Sequence, residues 1–367
     1  MRFKKTENNT SNKAASGASV RSVIGLDIGQ SGIRMVQLSG RSVNQIQVDK
    51  YAVVPLPQNI VVGGDVVDFD QLVSHLQTCY RKLKTSCKQV NLALPSGSVT
   101  IEENLQYSSN SDLSLQELVE SEVSRIGHLD SMNYDWQPLT KNSRGTEQTV
   151  LVVAAKSDDV NRCVDLVEEV GLNAVNVDVD VFAIANAFTF ADQKEAGEFA
   201  HQRIALFDVG DAALKALIME DGKILYRHES SFGLEQLLQL IQRNYQVGES
   251  EALAMVSGEM QRPSDYKSAI SDNFNMQIAQ EVQRALQFFF TTQSGDQGME
   301  IKQIFISGSG CIPDSDLPGA VYAQTSISTQ QIAPVTFAKS KVNGSQLNRD
   351  ANSLTIAFGL ALRGLFS

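Results

Sequence analysis

The sequence predicts an α/β protein built as two related lobes that face each other across a cleft. Three observations predict this. "GLDIGQSGIRMVQLS" (25 to 39) is an apolar run that meets Asp27, turns through Gly29, Gln30, Ser31 and Gly32, and resumes as an apolar stretch. "RIALFDVGDAALKALIMEDG" (203 to 222) repeats the pattern: Asp27 falls on Asp208, Gly29 on Gly210, Arg34 on Lys215 and Leu38 on Met219. "IKQIFISGSG" (301 to 310) is a buried-type strand ending in Ser307, Gly308, Ser309 and Gly310. Ligands in α/β sheets lie at such carboxyl ends.

The two turns have a specific physical logic. Glycine removes Cβ, so backbone N–H groups can approach an anion closely. Ser31 adds a hydroxyl, and Asp27 and Asp208 stand at strand ends, where each could hold Mg2+ through a water. An ordinary hairpin with a glycine turn is the competing reading of one copy; two copies and the glycine step favour phosphate. The spacing is neither G-x-G-x-x-G nor G-x-x-x-x-G-K-[ST], so a P-loop is excluded. Two small-residue helices are expected: "DVFAIANAF", with Ala183 and Ala187, and "SLTIAFGLALRGL", with Ala357, Gly359 and Ala361. Small residues at this spacing permit close crossing, either as plain core packing or as a crossing between the halves.

Along the chain, residues 1 to 20 read as a tail. From Met1 to Arg21 the basic Arg2, Lys4, Lys5, Lys13 and Arg21 oppose Glu7; the tail is either disordered or weakly drawn to an anionic membrane surface. Residues 21 to 98 hold strands around Ile24, Met35, Ile46 and Leu92. A helix from about Phe69 to Leu83 carries Leu72, Leu76, Tyr80 and Leu83 at helical spacing. Residues 99 to 173 read as an inserted α/β unit. In it "VTIEENLQY" alternates as a half-exposed strand, and "DLSLQELVESEVSRIG" is a helix capped by Asp112 or Ser114. "KNSRGTEQ" (141 to 148) is a polar loop, "TVLVVAAK" a strand, and "DDVNRCVDLVEEVG" a helix closed by Gly171. Residues 201 to 232 and 301 to 344 would build the second lobe, with 233 to 300 as its helical insertion; 174 to 200 and 345 to 367 return to the first.

Bulk properties narrow the function classes. A net charge of −11 over 367 residues argues against a general nucleic-acid binder. Cys79, Cys87, Cys163 and Cys311 form no C-x-x-C pair and the four histidines are scattered, so a zinc site has no support. No apolar run is long enough to span a bilayer, and the first residues lack a signal-peptide core. Asp178 and Asp180 are nominal bases for a kinase-type reaction, but Asp180 reads better as the cap of the helix that follows it.

Taken in order, these segments resemble the actin/Hsp70/sugar-kinase superfamily. Asp27 to Ser31 match its first phosphate loop, Asp180 to Phe188 its first connecting helix, Asp208 to Asp211 its second phosphate loop, Ser307 to Gly310 its adenosine loop, and Thr355 to Arg363 its second connecting helix. Within it, "VVPLPQNIVVGGDVVDFDQLVSHL", "LVVAAKSDDVNRCVDLVEEVGLNAVNVDVDVFAIANAF" and "EVQRALQFFFTT" resemble the PilM family of type IV pilus assembly, related to the division protein FtsA.

The resemblance covers about residues 22 to 366. It implies the actin-like ATPase (ribonuclease H-like) fold, with subdomain 1A from 21–98, 174–200 and 345–367, an FtsA-type 1C (SHS2) insertion at 99–173, subdomain 2A from 201–232 and 301–344, and 2B at 233–300. It implies ATP and Mg2+ in the cleft, held by Asp27, Gly29, Gln30, Ser31, Gly32, Asp208, Gly210, Asp211, Gly308, Ser309 and Gly310, with Glu251 beside the adenosine. It also implies capture of the cytoplasmic N-terminal segment of the inner-membrane protein PilN between 1A and 1C, contact with motor or platform proteins, and a cytoplasmic place at the inner membrane of a Gram-negative bacterium. The second loop departs from the pattern: Asp211-Ala212-Ala213 stand where relatives supply Gly and Thr donors. The lysine expected near Met255 is also missing. At most a weak ATPase is expected, with Ser31 and the backbone at Gly29 holding the phosphates. Competing readings are a polymer-forming actin-like ATPase, an FtsA-like division protein (whose C-terminal membrane helix has no counterpart in "GLALRGLFS") and an MSHA-type pilus protein.

Overall fold

The structure is a computed structural model that describes residues 22–141, 146–195, 197–292, 300–312 and 315–365. The basic tail and the centre of the 141 to 148 loop lie outside these residues.

The repeat in the sequence is a repeat of a whole sheet. In the first lobe, Gln47–Pro55, Gly32–Ser39 and Ser22–Ile28 form an antiparallel meander, which Gln89–Leu94 and Asn173–Val179 extend in parallel. In the second, Lys223–Ser230, Leu214–Glu220 and Ile204–Val209 form the meander, extended by Gln303–Ser307 and Thr329–Gln331. Registers agree as well. Asp27 lies opposite Arg34 and Asp208 opposite Lys215. The Gly29 N–H donates to the Gly32 carbonyl at 3.0 Å, and the Gly210 N–H donates to Ala213 at 2.9 Å.

One boundary differs from expectation. Lys339–Ser340 pairs with Gln47 and Val48 at the edge of the first sheet, although 301 to 344 were expected in the second lobe. The Lys339 N–H donates to the Ile46 carbonyl and the Lys341 N–H to Val48. A short edge strand of this kind is specified by backbone alone, so its polar sequence carries no alternation to read.

The two small-residue helices, Asp180–Lys194 and Thr355–Leu365, cross on the first sheet. A Cβ at Gly359 would fall 1.9 Å from the Ala183 carbonyl oxygen, and one at Gly25 would fall 1.9 Å from that of Ala357. Helix on helix and helix on strand thus touch backbone to backbone. The far side of the first helix meets the second lobe, where Phe188 packs on Phe305 with centroids 6.0 Å apart. The helix Phe69–Leu83 buries Leu72, Leu76, Cys79 and Leu83; Cys79 rather than Tyr80 takes the inner position.

The inserted unit is a three-stranded sheet of Val99–Ser108, Glu147–Lys156 and Met132–Lys141, with Glu147–Lys156 in the centre. Its helix Leu115–Ile126 starts at Ser114, not Asp112, in a capping box with Glu117. Val119 and Val123 then bury against Val150, Val152 and Ala154. The helices Leu234–Tyr245, Glu249–Ser257 and Asp272–Thr292 cover the second sheet. Among the described residues no helix is long and apolar enough to cross a membrane.

Candidate functional site

The two hairpin turns point at each other, and each basic residue of the repeat reaches into the opposite lobe. Arg34 of the first hairpin donates through Nη2 to Asp211 Oδ1 of the second at 2.9 Å. Lys215 of the second hairpin pairs with Asp180, at the start of the first-lobe helix, at 3.2 Å. Arg34 also holds its own hairpin, at 3.3 Å from Asp27 Oδ2 and 2.8 Å from Ser31 Oγ. Among the described residues, further bonds join the lobes, including the Ser31 N–H to Asp211 Oδ2 at 2.9 Å, Gln30 Nε2 to Glu235 at 3.3 Å, and Ser96 Oγ to Glu229 at 2.8 Å.

Between the turns lies a cavity of about 280 Å³. Its walls carry five carboxylates (Asp27, Asp180, Asp208, Asp211 and Glu229) and three cations, Arg34, Lys215 and Arg162. Burial pushes Asp27 up to about 6, in spite of Arg34, and raises Asp180 and Asp208 as well. Burial works to raise Asp211 too, but Arg34, Ser309 and Ser31 outweigh it and hold that carboxylate below the usual range. Lys215 is raised, because Asp180, Glu229 and Asp208 overcome its own burial. Asp211 is therefore the firmly ionised acid of the cleft, while burial favours the protonated form of Asp27, Asp180 and Asp208.

The structure brings together most of the residues named from the sequence. Asp27, Gly29, Gln30, Asp208, Gly210, Asp211, Gly308 and Ser309 line the cavity, and Ser31 and Gly32 complete the first turn. Glu251 lies elsewhere: its carboxylate accepts from the Gly248 N–H at 3.0 Å and caps its own helix. Gly308 and Gly310 serve packing more than approach to a base. Gly308 has φ of +110°, and a Cβ on it would fall 2.3 Å from the Val209 carbonyl oxygen; the Gly310 N–H donates to that same oxygen at 2.8 Å. Asp180 begins its helix and accepts from the Val181 and Ser96 N–H groups at 2.6 and 3.0 Å. Sequence reasoning gave Arg34 and Lys215 no role; their shared register in the repeat was the available signal.

The donors around the cleft fit an anion, and the chain supplies one itself. Ser31 N–H, Ser309 Oγ (2.5 Å) and Arg34 all converge on the Asp211 carboxylate. A Cβ at Gly29 would fall 2.2 Å from Asp211 Oδ2, so the glycine admits that carboxylate and no side chain. Asp27 and Asp208 are engaged by Arg34 and by Ser307 Oγ at 3.0 Å. Among the described residues no three His, Cys, Asp or Glu side chains converge on a metal position. A phosphate fits these donors only with Asp211 moved aside.

A second cavity, about 630 Å³, lies where three bodies meet. Leu139 and Leu151 come from the inserted sheet, Phe182 and Ala185 from the first-lobe helix, and Ile224 and Leu225 from the second lobe. Met132–Lys141, an edge strand of the inserted sheet, forms one wall.

A family model described as type IV pilus assembly protein PilM matches residues 25–365. The chain belongs to the PilM family. The solved PilM–PilN type IV pilus biogenesis complex is similar, with a TM-score of 0.76 and 20% identity over 94% of this chain and 98% of that one. The ethanolamine utilization protein EutJ from Carboxydothermus hydrogenoformans is similar with a TM-score of 0.55 and 14% identity, over 93% and 89% of the two chains. At these identities the likeness is one of fold. The PilM-family chain has the actin-like ATPase fold expected from its sequence.

Proposed function

We propose that this PilM-family chain is an adaptor that captures the short cytoplasmic segment of a PilN-type inner-membrane protein in the groove of about 630 Å³. One observation carries the reading: the groove sets apolar side chains (Leu139, Leu151, Phe182, Ile224 and Leu225) among polar ones such as Asn104 and Asn186, beside the edge strand Met132–Lys141. An extended peptide can add to such an edge by main-chain bonds while its alternate side chains meet these apolar and polar groups. Capture of this kind would bring the chain to the inner membrane.

The cleft is the second ligand site of the proposal. ATP with Mg2+ would enter an opened cleft, where Ser31, Ser309 and Arg34 hold phosphate and Asp27 and Asp208 orient water on the metal. A nucleotide there would act through its different affinity for open and closed lobes. Strand Lys223–Ser230 links the two sites physically. Glu229 faces the cleft, Ile224 and Leu225 face the groove, and Arg227 between them pairs with Glu103 of the inserted sheet at 2.9 Å. Movement of the second lobe would therefore pull on a groove wall.

The experiment is titration of the full chain with a fluorescent PilN-tail peptide. Asn186→Trp, which fills the groove, and Leu225→Arg, on its exposed rim, are each expected to weaken binding at least tenfold. Unchanged binding in both folded variants would reject the groove.

A further inference from the structure

We propose that Asp211 is a built-in surrogate for phosphate: its carboxylate occupies the anion site of the first hairpin, so the lobes close without a nucleotide, and a phosphoryl ligand must compete with it. This inference deepens the cleft half of the function proposed above and does not depend on tail capture.

The geometry supports it at each donor. A bound phosphoryl group at a turn of this kind is held by backbone N–H, hydroxyl and a cation. All three kinds of donor meet Asp211: the Ser31 N–H at 2.9 Å, Ser309 Oγ at 2.5 Å, and Arg34 Nη2 at 2.9 Å to one oxygen and 3.2 Å to the other. The donors come from the first hairpin and from the loop after the strand Gln303–Ser307, while the carboxylate comes from the second hairpin. Asp211 thus ties three segments together, as a ligand between lobes would.

The loop that carries Asp211 is itself anchored. The Glu235 N–H donates to the Asp211 carbonyl and the Leu234 N–H to the Gly210 carbonyl, each at 2.9 Å, so the first turn of a helix grips the turn from behind. A Cβ at Gly233 would fall 2.5 Å from the Gly210 carbonyl oxygen, so that grip needs glycine. The carboxylate is presented by a braced turn rather than by a loose loop. Ala212 and Ala213 beside it offer no hydroxyl to a competing ligand.

The test is calorimetric titration of the full chain with inorganic phosphate and, separately, with ATP and Mg2+. Wild type, Asp211→Ala, Asp211→Asn and the double variant Asp211→Ala/Arg34→Gln are compared. Asp211→Ala is expected to bind phosphoryl ligands at least tenfold more tightly than wild type. Asp211→Asn, which keeps an acceptor without the charge, should fall between them, and the double variant should lose the gain. A parallel gain for ATP assigns the vacated site to a nucleotide phosphate; a gain for inorganic phosphate alone assigns it to the free anion. An Asp211→Ala or Asp211→Asn chain that melts cooperatively yet gains in neither titration overturns the proposal. Tail-peptide binding on the same preparations reports on the groove separately, so a failure there leaves this result readable.

Discussion

Replacing Arg34 by Met should be among the most damaging single changes in the cleft, and its cost should depend on pH. The guanidinium is 6% exposed, Asp211 8% and Asp27 15%. Surface pairs are worth roughly 0–1 kcal/mol, but removing one partner of a buried pair costs about 3–5 kcal/mol. Here the loss strands two carboxylates. At about 1–2 °C per kcal/mol for a chain of 367 residues, melting should fall by roughly 3–10 °C at pH 7.5. Without Arg34 both carboxyls have folded-state pKa values raised above their unfolded ones. The penalty is then full above the folded pKa and vanishes below the unfolded one. The deficit should therefore shrink steadily as pH falls toward 4. The assay is a pair of thermal melts followed by circular dichroism, at pH 7.5 and pH 4.2. A variant that melts with wild type at pH 7.5, or keeps its whole deficit at pH 4.2, would refute the assignment of Arg34 as the charge that holds the cleft.

Further expectations follow from the same contacts. Asp27 is pushed up to about 6 by burial, so its charge destabilises the fold above that pH and is neutralised at no cost well below it. Asp27→Asn should accordingly look more favourable at pH 7.5 than at pH 4 by up to about 3 kcal/mol in urea unfolding; equal effects at both pH values would contradict this. Gly359→Val should cost at least about 3 kcal/mol, because its Cβ meets the Ala183 backbone. Gly97→Ala, with nothing within 4 Å, should stay within about 0.5 kcal/mol; similar urea midpoints for the two would show that the helices do not cross as described. Arg227→Met removes the pair with Glu103 and should weaken tail-peptide binding threefold or more while leaving the melt within about 3 °C of wild type. A variant with native tail affinity would cut the link between strand Lys223–Ser230 and the groove.

Much of this architecture was legible because its markers are local. Asp27 and Asp208, and Gly29 and Gly210, sit at matching hairpin positions, and a tight turn leaves glycine at a spacing that survives in the chain. The same holds for Ala183, Gly359 and the helices they thin. The partners of Arg34 and Lys215 were not legible, since Asp211 lies 177 residues from Arg34 and no periodicity connects opposite lobes. Asp211 reads in the sequence as a lost donor; only the fold shows it as a supplied acceptor. Glu251 was misplaced because an acidic residue three positions after a glycine also suits a helix cap, which is the role it takes. The edge strand at Lys339 has no apolar face and so no signal at all.

The central claim is that the groove beside the inserted sheet takes the PilN-type tail. Hydrogen exchange on the full chain, with and without saturating tail peptide, tests it most directly. The account predicts new protection along the open edge of Met132–Lys141 and at Ile224 and Leu225, with the helices Glu249–Ser257 and Asp272–Thr292 unchanged. Protection confined to the second lobe, or absent at Met132–Lys141 under saturation, would contradict it.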